Sequence, residues 1–124
     1  MNAYELGKQL VDLVNAGKSR EAMNKFYADD IVSVEAMSKP GGSAESRGLA
    51  AVNAKADWWE ANHIIHSGEA VGPFPHGDDC FAVIFRYDVT SKELNQRFKL
   101  EEVGVYDVKN DKVVRERFFY HMGM

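Results

Sequence analysis

The spacing of apolar residues changes at about residue 63, and this change limits the fold more than any other feature of the chain. Before it, apolar residues recur three and four apart, the spacing of one helix face; after it they alternate, the spacing of one strand face. Leu6, Leu10, Leu13 and Val14 predict a first helix, closed by Gly17 in a left-handed cap. Ser19 fits the N-cap of a shorter second helix carrying Ala22, Met23, Phe26 and Tyr27, with Asp29-Asp30 punctuating its end. Residues 31–37 are short and rich in β-branched side chains, so they predict a strand. A loop over 38–47 with Pro40-Gly41-Gly42 as its breaker reads as a connector or as a lid. A third helix follows over 49–61, with Leu49, Val52, Ala56 and Trp59 on one stripe and Trp58 beside it.

Beyond residue 63 the pattern predicts four strands, at about 63–72, 80–90, 96–108 and 112–121. Their connections are short, so neighbours run antiparallel. Helices followed by hairpins describe an α+β domain with a curved sheet. At 124 residues, without a repeat or a long linker, the chain reads as one domain over 1–124.

Composition narrows the function classes. The net charge of −4 disfavours a general nucleic-acid binder, which needs a basic face, and an anionic-membrane binder. The single cysteine, Cys80, cannot form an internal disulfide, and no apolar run reaches bilayer length. The N-terminal residues lack the basic start and apolar stretch of a secretion signal, so the expectation is a cytoplasmic domain. No Cys/His spacing suggests a metal site; His63 and His66 stand three apart in a strand and point to opposite faces. No phosphate-binding glycine loop and no nucleophile elbow are present.

Strand parity then assigns faces. Phe81, Val83, Phe85 and Tyr87 share one face; so do Leu100, Glu102, Gly104, Tyr106 and Val108, and Val114, Glu116, Phe118 and Tyr120. These faces are aromatic and suit the helix-covered, concave side. The opposite faces mix Arg86, Arg97, Lys99, Glu101, Arg115 and Arg117 with Ile84, Val103, Val105 and Phe119, which suits a homodimer with charge pairs at its rim. Three carboxylates are predicted on the inner side: Glu35, in an otherwise apolar strand on the face of Ile31 and Ser33, and Glu102 and Glu116, facing each other on adjacent strands. Three carboxylates in one apolar space cannot all ionise cheaply, so at least one should hold its proton to unusually high pH.

The order helix–helix–strand–helix–four strands resembles the nuclear-transport-factor-2-like superfamily, and within it the SnoaL-like proteins, which include polyketide cyclases and are related to ketosteroid isomerases. The resemblance is carried by Leu13-Val14-Asn15-Ala16-Gly17, by Phe26-Tyr27-Ala28-Asp29-Asp30, and by Glu102 to Lys109 running into Lys112-Val113-Val114 and Arg115 to Tyr120. It implies a cone-shaped, cystatin-like fold: three N-terminal helices on a curved, mixed or antiparallel sheet that encloses a cavity, with a homodimer through the convex face. It places Glu35 where ketosteroid isomerases carry their proton-shuttling aspartate, a pattern the ketosteroid isomerases themselves exemplify. Their oxyanion donors fall at Leu10 and near Gly104, which have no side-chain donor. Tyr120, Tyr106 or a protonated Glu102 are the replacements on the concave face.

The expectation is thus a SnoaL-like protein that binds a small hydrophobic molecule, without cofactor or metal. It would isomerise or cyclise a carbonyl compound with Glu35 as base and Glu102, Glu116 or Tyr120 assisting. Trp58, Trp59, His66, Phe81, Phe85, Tyr106 and Phe118 would surround the ligand. The alternative is a non-catalytic dimeric module that binds a ligand or another protein.

Overall fold

The computed structural model describes residues 1–37 and 43–121, and within them three helices lie on one face of a six-stranded sheet. Helix α1 spans Ala3–Asn15; Asn2 caps its start by accepting a hydrogen bond from the backbone N–H of Glu5. Its end is the predicted glycine cap: Gly17 has φ +77°, and the amides of Lys18 and Gly17 reach back to the carbonyls of Leu13 and Val14. Helix α2 spans Ser19–Phe26 with Lys18, not Ser19, at the N-cap, and no side-chain hydrogen bond caps its start. Strand β1 covers Tyr27–Val34, β2 Glu45–Arg47, helix α3 Leu49–Asn62, β3 His63–Pro75, β4 Cys80–Ser91, β5 Gln96–Lys109 and β6 Lys112–Phe119.

The sheet order is β2-β1-β6-β5-β4-β3. All neighbours are antiparallel except β1 and β6, which are parallel, so the sheet is mixed. It is open, with β2 and β3 at its edges. Leu6, Leu10, Val11 and Phe26 from the helices bury against Ile31, Phe81, Val83, Tyr106 and Val113 from the strands. Asn15 fastens α1 to β3 with two hydrogen bonds, donating to the carbonyl of Ala70 at 3.0 Å and accepting from its amide at 2.8 Å. No helix among the described residues is long and apolar enough to cross a membrane.

Three further sequence expectations change. The first strand starts at Tyr27 rather than residue 31, and Asp29-Asp30 lie inside it instead of ending a helix. A register shift between Tyr27 and Val32 leaves both aspartates solvent-exposed, so acidic residues are accommodated within the strand. Part of the expected loop forms β2, a three-residue edge strand too short to show alternation. Positions 40–42, read as connector or lid, lie outside the described residues.

The third change concerns parity. Asp107 pairs with Arg115 but Val108 pairs with Val113, so Val114 is an extra residue in β6. This bulge puts Val113, not Val114, in the core, where it is fully buried. A second bulge makes His66 the extra residue between the pairs Ile65–Val89 and Ser67–Asp88.

Candidate active site

The site is built on rows of side chains running across the sheet. In one row Ser33 of β1 lies opposite Glu116 of β6, Glu116 opposite Tyr106 of β5, and Tyr106 opposite Phe81 of β4. In the next, Phe118 lies opposite Gly104 and Gly104 opposite Val83. Beyond it Glu102 lies opposite Phe85. Glu102 and Glu116 therefore do not face each other as their parity suggested, because the register of β6 sets Glu116 against Tyr106. A side chain at position 104 has no room: its Cβ would come within 2.9 Å of the Tyr106 ring, 3.0 Å of the Phe85 ring and 3.1 Å of the Tyr106 hydroxyl. The phenol of Tyr106 occupies the space that the glycine leaves.

Six polar side chains form one hydrogen-bonded line over this floor. Tyr27 donates to Oε2 of Glu116, and Ser33 donates to its Oε1 at 2.8 Å. Lys55, reaching down from α3, donates to Ser33 Oγ at 2.7 Å and to Glu35 Oε1 at 2.8 Å. Tyr120 donates to the other oxygen of Glu35 at 3.2 Å. One end of the line is buried, with Ser33 at 0% and Glu116 at 2% exposure; the other is half open, with the Lys55 and Glu35 side chains each 28% exposed. The ammonium of Lys55 also lies 5.5 Å from the centroid of the Phe118 ring, a distance at which a cation is attracted to the ring face.

Glu102 stands beside this line but outside it. Among the described residues no hydrogen bond is made to its carboxyl, whereas both oxygens of Glu35 and both of Glu116 accept one. Burial pushes the Glu102 carboxyl up from its ordinary value of 4.5 to about 7; the nearby charges of Glu35 and Glu116 add to the rise and Lys55 opposes it. Burial also raises Glu116, against the hydrogen bond from Tyr27. Tyr120 and Tyr87 are pushed up to about 12, mainly by burial. At neutral pH their phenols keep their protons and remain donors.

The other predicted residues fall in different places. Phe81, Phe85 and Tyr106 are core residues, 0%, 5% and 2% exposed; Phe81 stacks on Tyr106 with centroids 4.8 Å apart, and Phe118 meets Tyr106 edge-on at 6.3 Å. They form the floor, while Phe118 and Tyr87 beside them are half-buried. Trp59 stacks on His63 at 3.6 Å, while Trp58 is 42% exposed. His66 is exposed and bonded to Thr90 Oγ1 at 2.7 Å, on the sheet's outer side, because its bulge turned it away from the helices. A hollow of about 420 Å³ bounded by Glu69, Arg86, Asp88, Lys99 and Glu101 includes none of Glu35, Glu102 and Glu116 in its lining. Among the described residues no group of three or more His, Cys, Asp and Glu side chains is arranged to hold a metal.

The sequence reading missed Lys55, Tyr27 and Ser33 as partners of the carboxylates. Lys55 carried a signal. It follows buried Val52 by three positions and precedes Trp59 by four, so it lies on the stripe that faces the sheet.

With this geometry in place, the relationship to known proteins is decisive. A model of the SnoaL-like domain matches residues 1–120. The chain belongs to the SnoaL-like family. The crystal structure of a Mesorhizobium loti protein, provisionally designated a SnoaL-like polyketide cyclase and carbohydrate phosphatase, superposes with a TM-score of 0.91 at 42% identity, covering 97% of this chain and 100% of that one. A protein of unknown function with a cystatin-like fold from Xanthomonas campestris matches with a TM-score of 0.75 at 17% identity over 97% of this chain and 91% of its own. An NTF2-like protein from Burkholderia xenovorans matches with 0.69 at 19% identity, over 94% and 87%. The last two share the fold. No curated protein matches the chain.

Proposed function

We propose that this SnoaL-like protein catalyses proton transfer on a small, largely apolar carbonyl compound, leading to isomerisation or aldol-type cyclisation without a cofactor. Glu102 is the group that takes and returns the proton. The observation that carries this reading is its setting: partly buried and held by no hydrogen bond among the described residues, a burial that pushes the carboxyl up to about 7. A general base works best when its pKa lies near the working pH, and an unbonded carboxylate is more basic than one whose oxygens already accept hydrogen bonds. Glu35, expected to be the base, instead has one oxygen on Lys55 and the other on Tyr120. Its role in this reading is to hold those two donors at the mouth of the site. The partly buried Phe118 and Tyr87 offer the ligand apolar surface. The cyclase designation of the Mesorhizobium relative supports the cyclisation branch.

The test is exchange of α-protons into deuterium oxide, followed by NMR over a panel of small ketones and 1,3-diketones. Glu102→Gln should slow exchange by roughly 10²–10⁴-fold, and Glu35→Gln by less. Exchange that survives Glu102→Gln unchanged overturns the assignment. A second reading, a module that binds without turnover, draws support from Leu10 and Gly104, which supply no donor where related isomerases have one. It predicts that Glu102→Gln changes ligand affinity while no panel member exchanges.

A further inference from the structure

Enolate chemistry requires a donor for the developing oxyanion, and the positions that would supply one by resemblance are Leu10, packed in the core, and Gly104. We propose that Lys55 fills this role: its ammonium donates a hydrogen bond to the carbonyl oxygen of an enolisable substrate as that oxygen becomes an enolate. The inference rests on the proton-transfer reading above and extends it to the substrate, a 1,3-dicarbonyl or β-keto compound whose negative charge gathers on oxygen.

An ammonium has three N–H groups. Ser33 Oγ takes one at 2.7 Å and Glu35 Oε1 another at 2.8 Å. Among the described residues the third has no acceptor, and the side chain is 28% exposed, so a ligand can reach it. With two N–H groups fixed, the direction of the third is fixed as well. Such a donor needs no reorganisation when charge appears, the condition under which electrostatic stabilisation is most effective. Phe118, 5.5 Å away, screens one side of the ammonium from water.

The chain behind Lys55 supports the same conclusion. A tie between helix and sheet needs only Glu35. Here the lysine is also anchored to Ser33, which is fully buried, and through it to Glu116, buried and bonded in turn to Tyr27. Burying a carboxyl group costs stability, and three buried or half-buried polar groups spent on orienting one ammonium suit a catalytic donor better than a surface ion pair. Ser33 and Glu116 are thus positioning residues that act through Lys55.

The step balances without any co-reactant. The Glu102 carboxylate accepts the α-proton; the C–H electrons form a C=C bond, and the carbonyl π electrons move to oxygen. That oxygen accepts a hydrogen bond from Lys55, which keeps all its protons. Returning the proton from Glu102 to another carbon completes an isomerisation. Attack of the enolate carbon on a second carbonyl forms the C–C bond of a cyclisation, and the new alkoxide takes the proton instead.

The probe is 4-nitrophenol, whose colour reports its ionisation and whose phenolate mimics an enolate, added at millimolar concentration on the acid side of the Glu102 midpoint. The wild-type protein should bind it with the ionised form enriched roughly ten- to hundredfold over free solution. Lys55→Met should abolish the enrichment, Lys55→Arg should retain part of it, and Ser33→Ala should reduce it in a protein that stays folded by circular dichroism. Binding only as the neutral phenol, no binding, or the same enrichment in Lys55→Met each overturns the role of Lys55. Any of these results beside an intact Glu102-dependent α-proton exchange refutes the oxyanion assignment alone. Loss of exchange dependence on Glu102 refutes the reading beneath it.

Discussion

Replacing Glu102 with glutamine should make the protein more stable, and only above acidic pH. In the unfolded chain Glu102 loses its proton near 4.5, whereas in the folded protein it keeps it until about 7. Between these values the folded state binds more protons than the unfolded one, so stability falls as pH rises through the window. Below 4.5 both states are protonated and nothing is lost; above 7 both are ionised and the full cost is present. A shift of this size corresponds to about 3 kcal/mol, since each unit is worth about 1.4 kcal/mol. Glutamine has nearly the same shape and no charge, so it removes the cost. Urea unfolding of both proteins in acetate near the lower limit and in mildly alkaline buffer reads the difference directly. The two midpoints should nearly coincide in acid, and Glu102→Gln should gain about 2–3 kcal/mol in alkali. A gain of equal size at both pH values, or none at either, would refute a desolvated Glu102.

Other perturbations test the frame around the site. Gly104→Ala should destabilise by about 1–3 kcal/mol, read by urea unfolding, because its methyl group meets two rings packed in the core. Asn15→Ala should cost about 1–3 kcal/mol in the same assay, since it leaves both the amide and the carbonyl of Ala70 without the partner that ties α1 to β3. We also propose that the outer sheet face pairs two copies of the chain, with half-exposed Phe119 beside Val103 at its centre. Sedimentation at micromolar concentration should then show a dimer, and a monomer would leave that face simply solvated.

The fold was legible wherever several residues repeated one signal. The change of period at residue 63 gave the helical half and the four long strands, and Gly17 gave the end of α1 because a left-handed cap favours glycine. Single-residue events were not legible. The extra residues His66 and Val114 leave no mark on composition, yet each reverses which side chains face the helices. Tyr27 read as the end of a helix because it continues the apolar spacing of α2, but it opens β1 and reaches Glu116. Of the site, parity placed Glu102, Glu116 and Tyr120 on the inner side. It could not show which carboxylate would be left without donors, because that depends on Lys55, a charged residue on a helix whose other stripe members are apolar. Sequence favoured Glu35 for its apolar strand; the structure surrounds Glu35 with donors and leaves Glu102 without them.

Whether Glu102 is the carboxyl poised for proton transfer can be tested without a substrate. The measurement is an NMR titration of the glutamate side-chain carboxyl carbons, with Glu102→Gln used to assign the signal. The expected Glu102 midpoint is about 7, well above the ordinary 4.5. A Glu102 midpoint near 4.5 would contradict it, because a solvated carboxylate of ordinary acidity cannot hold the proton on which the proposed chemistry depends.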